Sequence, residues 1–331
     1  MNASPPSAES LRAALAGLLD GLPPSQAAKA VERLIANYRG TTPTDAPVLR
    51  DRSDVAAYAA YRMPATFEAV RCALYALRDA APDWEPGTHT DVGGGTGAAS
   101  WAVAEAWADV APHTTVLDWA EPALALGREL AAGTLDAEWR TARIGSALRL
   151  ADADLVTVSY VLKELTEADR AALVAEAARA AQAVVIVEPG TPDGYERIIA
   201  ARTLLVEAGF TVAAPCPHSG ACPIVPGEDW CHFSARVSRS SLHRQVKGGS
   251  LPYEDEKYAY VAAIRFPVTP AVSRVTRRPQ IRKGQVLLDL CGPDGLVRDT
   301  VTKRHGPLYK RARDVEWGDP WPPEATPGDT P

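Results

Sequence analysis

The run Asp91-Val92-Gly93-Gly94-Gly95-Thr96-Gly97 constrains this chain more than any other feature. It follows a short β-branched stretch and leads into an alanine-rich segment, so it reads as the turn between a strand and a helix. Glycine at positions 93, 94, 95 and 97 lets the backbone turn tightly and approach a ligand with no Cβ in the way. The same alternation continues beyond the loop. Candidate strands are Thr90 to Val92, Thr115 to Leu117, Leu155 to Ser159 and Ala183 to Val187. Candidate helices are Ala98 to Val110, Pro122 to Ala132, Glu167 to Ala181 and Tyr195 to Ala208. Such a pattern predicts a mainly parallel sheet with helices on both faces and a ligand site at the carboxyl ends of the strands.

Read through to Ala98, the glycine loop also satisfies the dinucleotide fingerprint G-x-G-x-x-A, a weak match by itself. Asp91 separates the readings. A diphosphate gains nothing from a carboxylate at the strand end, whereas S-adenosylmethionine (SAM) has no phosphate and presents an ammonium and a sulfonium. Asp118 ends the next candidate strand, where an acid accepts hydrogen bonds from ribose hydroxyls of either cofactor. Asp91, Gly93, Gly95 and Gly97 match the acidic residue and three alternating glycines of class I SAM-dependent methyltransferases, which the chain resembles here. The resemblance implies an α/β fold with a Rossmann-like doubly wound sheet and SAM held at Asp91, Gly93, Gly95, Gly97 and Asp118. A nicotinamide-dependent oxidoreductase is the remote alternative, and a loop that merely turns the chain is the bland one.

Ahead of this core, Glu9 to Leu19 and Ser25 to Tyr38 read as helices separated by Gly21-Leu22-Pro23-Pro24. Val55 to Ala80 has helical apolar spacing, with Pro64 marking a kink or a second start and Cys72 on the apolar face as a small buried hydrophobe. After Gly209 the regularity fails, and Tyr258 to Phe266 and Gln285 to Leu290 read as strands. The expected organisation is an N-terminal helical extension (1–85), a SAM-binding domain (86–212), a Cys-rich insert with basic C-terminal strands (213–313) and a flexible, acidic, proline-rich tail (314–331). No apolar run approaches the ~20 residues of a membrane span, and the N-terminus lacks the basic start and apolar core of a signal peptide. These features predict a cytoplasmic monomer with no membrane and no disulfide-linked partner.

Five cysteines without an export signal point to metal or chemistry before disulfides. Cys216, Cys222 and Cys231 fall within sixteen residues, and Cys291 ends the strand read from Val286 to Leu290. Structural zinc sites usually pair cysteines two to four residues apart, a spacing absent here. Cysteine-proline steps and irregular spacing suit an iron-sulfur cluster on four thiolates better, read as 4Fe-4S, with zinc and buried free thiols as alternatives. The radical-SAM spacing is also absent, so the cluster reads as a staple joining the insert to the C-terminal strand. His218 and His232 are read as solvated or supporting side chains.

The net charge of -6 is unevenly spread. From Ala271 to Arg313 there are eleven Lys or Arg against three Asp, a net of +8, and Arg236, Arg239, Arg244 and Lys247 extend the basic zone toward the cysteines. A basic zone on an acidic protein is what a phosphate-backbone binder needs. A solvated surface paired with the acidic remainder is the alternative.

Taken together, Tyr61-Arg62-Met63-Pro64-Ala65-Thr66, the glycine loop, Tyr160-Val161-Leu162-Lys163-Glu164-Leu165, the run Cys216 to Phe233, Leu287 to Asp294 and Lys303-Arg304-His305-Gly306 resemble one family. It is the methyltransferase-like assembly factors of the mitochondrial small ribosomal subunit and their bacterial relatives. The resemblance covers roughly residues 50 to 320. It implies a SAM-type fold, an iron-sulfur cluster on Cys216, Cys222, Cys231 and Cys291, and association with small-subunit ribosomal RNA. A catalytic residue is not implied. Where amine methyltransferases carry Asn/Asp-Pro-Pro-aromatic, this chain has Ser159-Tyr160-Val161-Leu162, and no cysteine nucleophile lies between Cys72 and Cys216. Lys163, Glu164 and Glu188-Pro189-Gly190 lie near the expected cleft without a defined role. An rRNA methyltransferase and a catalytically inactive assembly factor both fit.

Overall fold

The computed structural model describes residues 6–18, 31, 52–239 and 251–323. Apart from Val31, the helix expected over Ser25 to Tyr38 lies outside the described residues, as do the basic residues Arg244 and Lys247. Helix α1 (Ala8–Leu18) matches the first expected helix and buries Leu11 and Leu15. Helix α2 (Arg52–Ala80) runs without interruption through Pro64, so the proline neither ends it nor starts another. Cys72 is partly buried against the surrounding core, as its apolar spacing implies.

The main sheet begins with β1 (Thr88–Val92), β2 (His113–Asp118), β3 (Ala137–Thr141), β4 (Ala153–Ser159) and β5 (Ala181–Pro189), all mutually parallel along β3-β2-β1-β4-β5. Helices α3 (Ala98–Ala106), α4 (Glu121–Ala131), α5 (Glu167–Ala180) and α6 (Pro192–Glu207) make the connections. Their starts have local causes. The Thr166 hydroxyl accepts from the Asp169 N–H and that of Thr191 from the Gly194 N–H, with Pro192 in the first turn of α6.

The sheet continues past residue 212, the limit expected for this domain, because the chain returns to it. Strand β6 (Thr211–Ala214) and strand β7 (Phe233–Ser238) lie along one edge of the long β8 (Tyr253–Ile264), which is antiparallel to both and to β5. Order β3-β2-β1-β4-β5-β8-β6, with one antiparallel strand next to the edge, is the class I methyltransferase arrangement. Strand order reverses between β1 and β4, which places the ligand crevice above their carboxyl ends.

Two apolar layers sandwich this sheet. Phe67, Leu74 and Trp101 pack with Val185 and Ile264 on one face, and Leu173, Ile198 and Leu205 with Val156 and Ile186 on the other. A second, five-stranded sheet joins β9 (Ser273–Val275), β10 (Gln280–Arg282), β11 (Gln285–Gly292), β12 (Gly295–Thr302) and β13 (Pro320–Trp321). With α7 (Pro307–Asp314) it encloses its own core of Val275, Val286, Leu288, Val301 and Trp321. The flexible tail expected from residue 314 is therefore corrected. Trp321 is 4% exposed and its strand pairs with Ser273, so apolar burial holds this stretch as far as it is described. Among the described residues no helix is long and apolar enough to cross a membrane.

Candidate functional site

Strand β1 delivers the glycine loop to the crevice, and hydrogen bonds fold it over β2. The N–H groups of Gly93 and Gly94 donate to the Leu117 carbonyl (2.8 and 3.2 Å), and the Gly95 N–H donates to Asp118 Oδ2 (2.9 Å). Gly93, Gly95 and Gly97 have φ of 70°, 52° and 84°, the left-handed region that favours glycine. A Cβ on Gly93 would strike Val161 at 2.6 Å, and one on Gly97 would strike the Trp139 ring at 2.5 Å. At Gly95 the nearest atom would be Asp118 Oδ2 at 3.8 Å, so this part of the loop faces open space.

Asp91 is wholly buried beneath the loop. Its Oδ2 accepts from the Ser100 hydroxyl (2.9 Å) and its Oδ1 from the Thr157 hydroxyl (3.0 Å). Thr157 has spent its one proton, so its oxygen accepts from His89 Nε2–H (2.8 Å), leaving Nδ1 to accept from the Thr114 hydroxyl (3.1 Å). The order Thr114, His89, Thr157, Asp91 runs across three strands and fixes a neutral imidazole, whose pKa burial lowers to about 3. Burial pushes Asp91 up to about 6, against the hydrogen bonds from Ser100 and Thr157. Asp118, also raised by burial, accepts from Gly95 and Ala120, tying loop to strand end.

Carboxylates gather at the far rim. Glu188 is 0% exposed and committed, Oε1 accepting from the Leu162 N–H (3.0 Å) and Oε2 pairing with Arg197 (2.7 Å). Glu164 keeps solvent contact, yet desolvation of its carboxyl and the charges of Asp118 and Glu188 push it up to about 7. Just after β4, Tyr160 takes a φ of 59° and donates its N–H to Val187 O (2.8 Å). Its hydroxyl donates to Glu256 (3.0 Å), which also pairs with Arg62 (3.1 Å), and the Arg62 guanidinium lies over the Tyr160 ring at 5.5 Å. Both donors at this position are thus engaged within the protein.

The four cysteines occupy a second site. Strands β6 and β7 are two stretches of one sheet edge, and residues 215–232 are an excursion between them. Cys216, Cys222 and Cys231 lie on that excursion, and Cys291 arrives from β11, where it is opposite Arg274. All four are free thiols lining one open cavity together with Tyr195, Arg202 and Arg274. The Tyr195 hydroxyl is 3.2 Å from Cys222 Sγ, and His218 Nε2 is 3.9 Å from Cys291 Sγ. Burial first and the neighbouring thiols second raise Cys231 well above its usual range and Cys291 to about 12. His232 stacks on Trp230 and meets the edge of Trp317 (centroids 5.3 and 5.0 Å), a supporting position. Among the described residues no three His, Cys, Asp or Glu side chains converge tightly enough to hold a single metal ion.

The family model of the mitochondrial small ribosomal subunit protein Rsm22 matches residues 52–322. The chain belongs to the Rsm22 family. Over 302 residues this Rsm22-family chain is 30% identical to the human mitochondrial ribosome assembly protein METTL17, covering 82% of the chain and 64% of the relative. It thus spans less than two thirds of that relative's length. A Schizosaccharomyces pombe mitochondrial Rsm22-cox11 tandem protein is 28% identical over 184 residues, 43% of the chain and 24% of the relative. Among solved structures, the Synechocystis magnesium protoporphyrin IX methyltransferase with bound S-adenosylhomocysteine is 15% identical with a TM-score of 0.40, covering 61% of this chain and 84% of that one. So distant a likeness adds nothing to the strand order described above.

Of the residues expected from sequence, Asp91, Gly93, Gly95, Gly97 and Asp118 meet in the crevice and the four cysteines meet in the cavity. The His89, Ser100, Thr114 and Thr157 network was not expected, although the run of polar residues from Thr88 to Asp91 in a strand of the sheet centre is its signal. The basic zone is less open than charge alone implies. Arg274 is 6% exposed, while Arg277 pairs with Asp229 and Arg298 with Asp289. Arg282, Lys283, Lys303, Arg304, Lys310 and Arg313 are exposed.

Proposed function

We propose that this Rsm22-family chain is an assembly factor of the small ribosomal subunit that binds SAM in the glycine-loop crevice, holds an iron-sulfur cluster on Cys216, Cys222, Cys231 and Cys291, and meets ribosomal RNA with its exposed C-terminal lysines and arginines. The observation that carries the reading is the convergence on one cavity of four free thiols, three from the excursion 215–232 and one from β11 of the second sheet. Structural zinc sites usually pair cysteines two to four residues apart, a spacing this chain lacks. Iron-sulfur clusters are commonly held by four cysteines at varied spacing, which suits these four residues better. Burial first, and neighbouring thiols after it, raise Cys216, Cys231 and Cys291, so a cationic core is what would let them serve as thiolates. When bound, the cluster would link the sheet-edge excursion to β11.

At the crevice, Gly93 to Gly97 would leave room for the cofactor, Asp118 would accept from ribose hydroxyls, and ionised Asp91 would supply negative potential beneath the cationic end. The engaged Tyr160 favours binding without methyl transfer. Methyl transfer is the second reading, favoured by Glu164, whose carboxyl faces the charges of Asp118 and Glu188 and titrates near neutrality. Anaerobic purification with iron, sulfide and visible absorption, for wild type and Cys216→Ser, tests the cluster. Bound iron and a broad band near ~400 nm, both lost in the variant, support it, and a colourless iron-free wild type removes it. Labelled SAM with small-subunit particles then tests transfer, with Glu164→Gln as the diagnostic variant.

A further inference from the structure

Arg202 and Arg274 are buried cations without a buried counter-ion. Arg202, on α6, is 4% exposed. One of its terminal nitrogens donates to the carbonyls of His218 (2.8 Å) and Gly220 (2.7 Å), strapping the excursion between Cys216 and Cys222, while its Nε has no partner. Arg274 donates to the carbonyls of Pro215 (2.8 Å) and Gly318 (3.0 Å). Among the described residues neither forms an ion pair with a carboxylate, although Asp79 feels the charge of Arg274. Both line the cysteine cavity.

An unpaired buried guanidinium is costly to the fold unless an anion faces it. The groups in this cavity able to become anions are the thiols, and the positive charges of Arg202 and Arg274 both bear on Cys216 and that of Arg202 on Cys291. A third group, Tyr195, places its hydroxyl on Cys222 Sγ, where a thiolate would accept its proton in a hydrogen bond.

We propose that Arg202, Arg274 and Tyr195 form a charge-balancing shell that sets the reduction potential at the four-cysteine site. The inference rests on the iron-sulfur reading of that cavity. A four-thiolate cluster is anionic and gains one further negative charge when a donor such as dithionite reduces it by one electron. Net charge and hydrogen bonds to sulfur are the levers on such potentials. Two fixed cations and a hydrogen bond to sulfur therefore favour the reduced form. Arg202, Arg274 and Tyr195 are positioning groups, distinct from the ligands.

The test is a dithionite titration with viologen mediators, followed by electron paramagnetic resonance and visible bleaching, on anaerobically purified wild type, Tyr195→Phe, Arg202→Gln and Arg202→Lys. With iron content equal to wild type, the oxidised-to-reduced ratio at fixed potential rises roughly threefold in Tyr195→Phe and roughly tenfold, about 59 mV more negative, in Arg202→Gln. Arg202→Lys, which keeps the charge but not the planar fork, recovers most of the shift. Iron-loaded Tyr195→Phe and Arg202→Gln with the wild-type potential overturn the proposal and leave the cluster assignment standing. If Arg202→Gln does not fold, Tyr195→Phe alone decides, since it removes one hydroxyl and no packing. An iron-free wild type overturns the cluster assignment and this proposal with it.

Discussion

Replacing Asp91 with asparagine separates what the carboxylate costs the fold from what it contributes to the loop above it. Asp91 has no solvent exposure, and burial moves its pKa from 3.8 to about 6. The folded chain therefore holds this proton more tightly than the unfolded chain. Below pH 3.8 both states are protonated and the charge costs nothing. Between 3.8 and about 6 the folded state binds more protons, so stability falls as pH rises, and above 6 the loss is complete. A shift of about two units corresponds to about 3 kcal/mol at 1.36 kcal/mol per unit. Asparagine keeps the shape. Its Oδ1 can still accept from Thr157, and its amide can donate to the Ser100 oxygen, at a cost of about 1 kcal/mol for the bonds from Ser100 that are lost. The assay is urea unfolding of both proteins at pH 4.5, 5.5, 6.5 and 7.5 at fixed ionic strength. Relative to wild type, Asp91→Asn gains about 2 kcal/mol between pH 4.5 and 7.5, the first ~1 of the ~3 kcal/mol being already lost from wild type at pH 4.5, and levels off above pH 7. The same variant binds SAM about tenfold more weakly, because the negative potential beneath the loop is gone. A stability difference that stays flat across this range would refute the claim that an unfavourably buried carboxylate supports the loop.

Three other outcomes follow from the geometry. Gly97→Ala drives a Cβ into Trp139 from a φ of 84° and is expected to destabilise the chain by about 1–3 kcal/mol and abolish SAM binding, read by urea unfolding and calorimetry. Ionisation of Glu164 near pH 7 places another negative charge beside a cationic ligand, so SAM affinity should rise several-fold from pH 6 to pH 8 in wild type and stay level in Glu164→Gln. Removing Lys303 and Arg304 together should weaken RNA binding at low salt and reduce the slope of log affinity against log salt by about 2, with little effect on SAM binding.

The elements legible in the sequence were those whose cause is local. The glycine loop announces itself by composition, and β1, β2, β4 and β5 by β-branched runs between alanine-rich helices. Strand β3, Ala137–Thr141, buries only Trp139 at the sheet edge and carries Glu138 and Arg140 outward, so no apolar run marks it. Strands β6 and β7 form one edge only because β8 lies beside both, and nothing in either segment encodes that shared neighbour. The same limit governs the sites. Asp91 and Asp118 belong to one motif, whereas the contact of Arg62, Tyr160 and Glu256 joins residues from α2, the end of β4 and β8. Arg274 shows most clearly what charge counting misses. Its sign placed it in an RNA-facing zone, and its burial places it beside the cysteines.

That relocation changes how the C-terminal strands bear on function. Cys291 and Arg274 are opposite one another on β11 and β9, so one small sheet delivers both a thiol and a cation to the cavity. The exposed basic residues Lys303, Arg304, Lys310 and Arg313 lie on the segment that follows β12, the direct partner of β11. On the proposed reading, a charge change at the cavity and a phosphate contact at the surface would act on neighbouring parts of one small core containing Val286, Leu288 and Val301. If that core is rigid, removing the Cys291 thiol should disturb RNA affinity without touching a single basic side chain. Measuring RNA binding in Cys291→Ser beside Cys216→Ser separates two cases. Equal losses in both mean that the cavity acts through whatever it holds, and a loss confined to Cys291→Ser means that β11 alone transmits the effect.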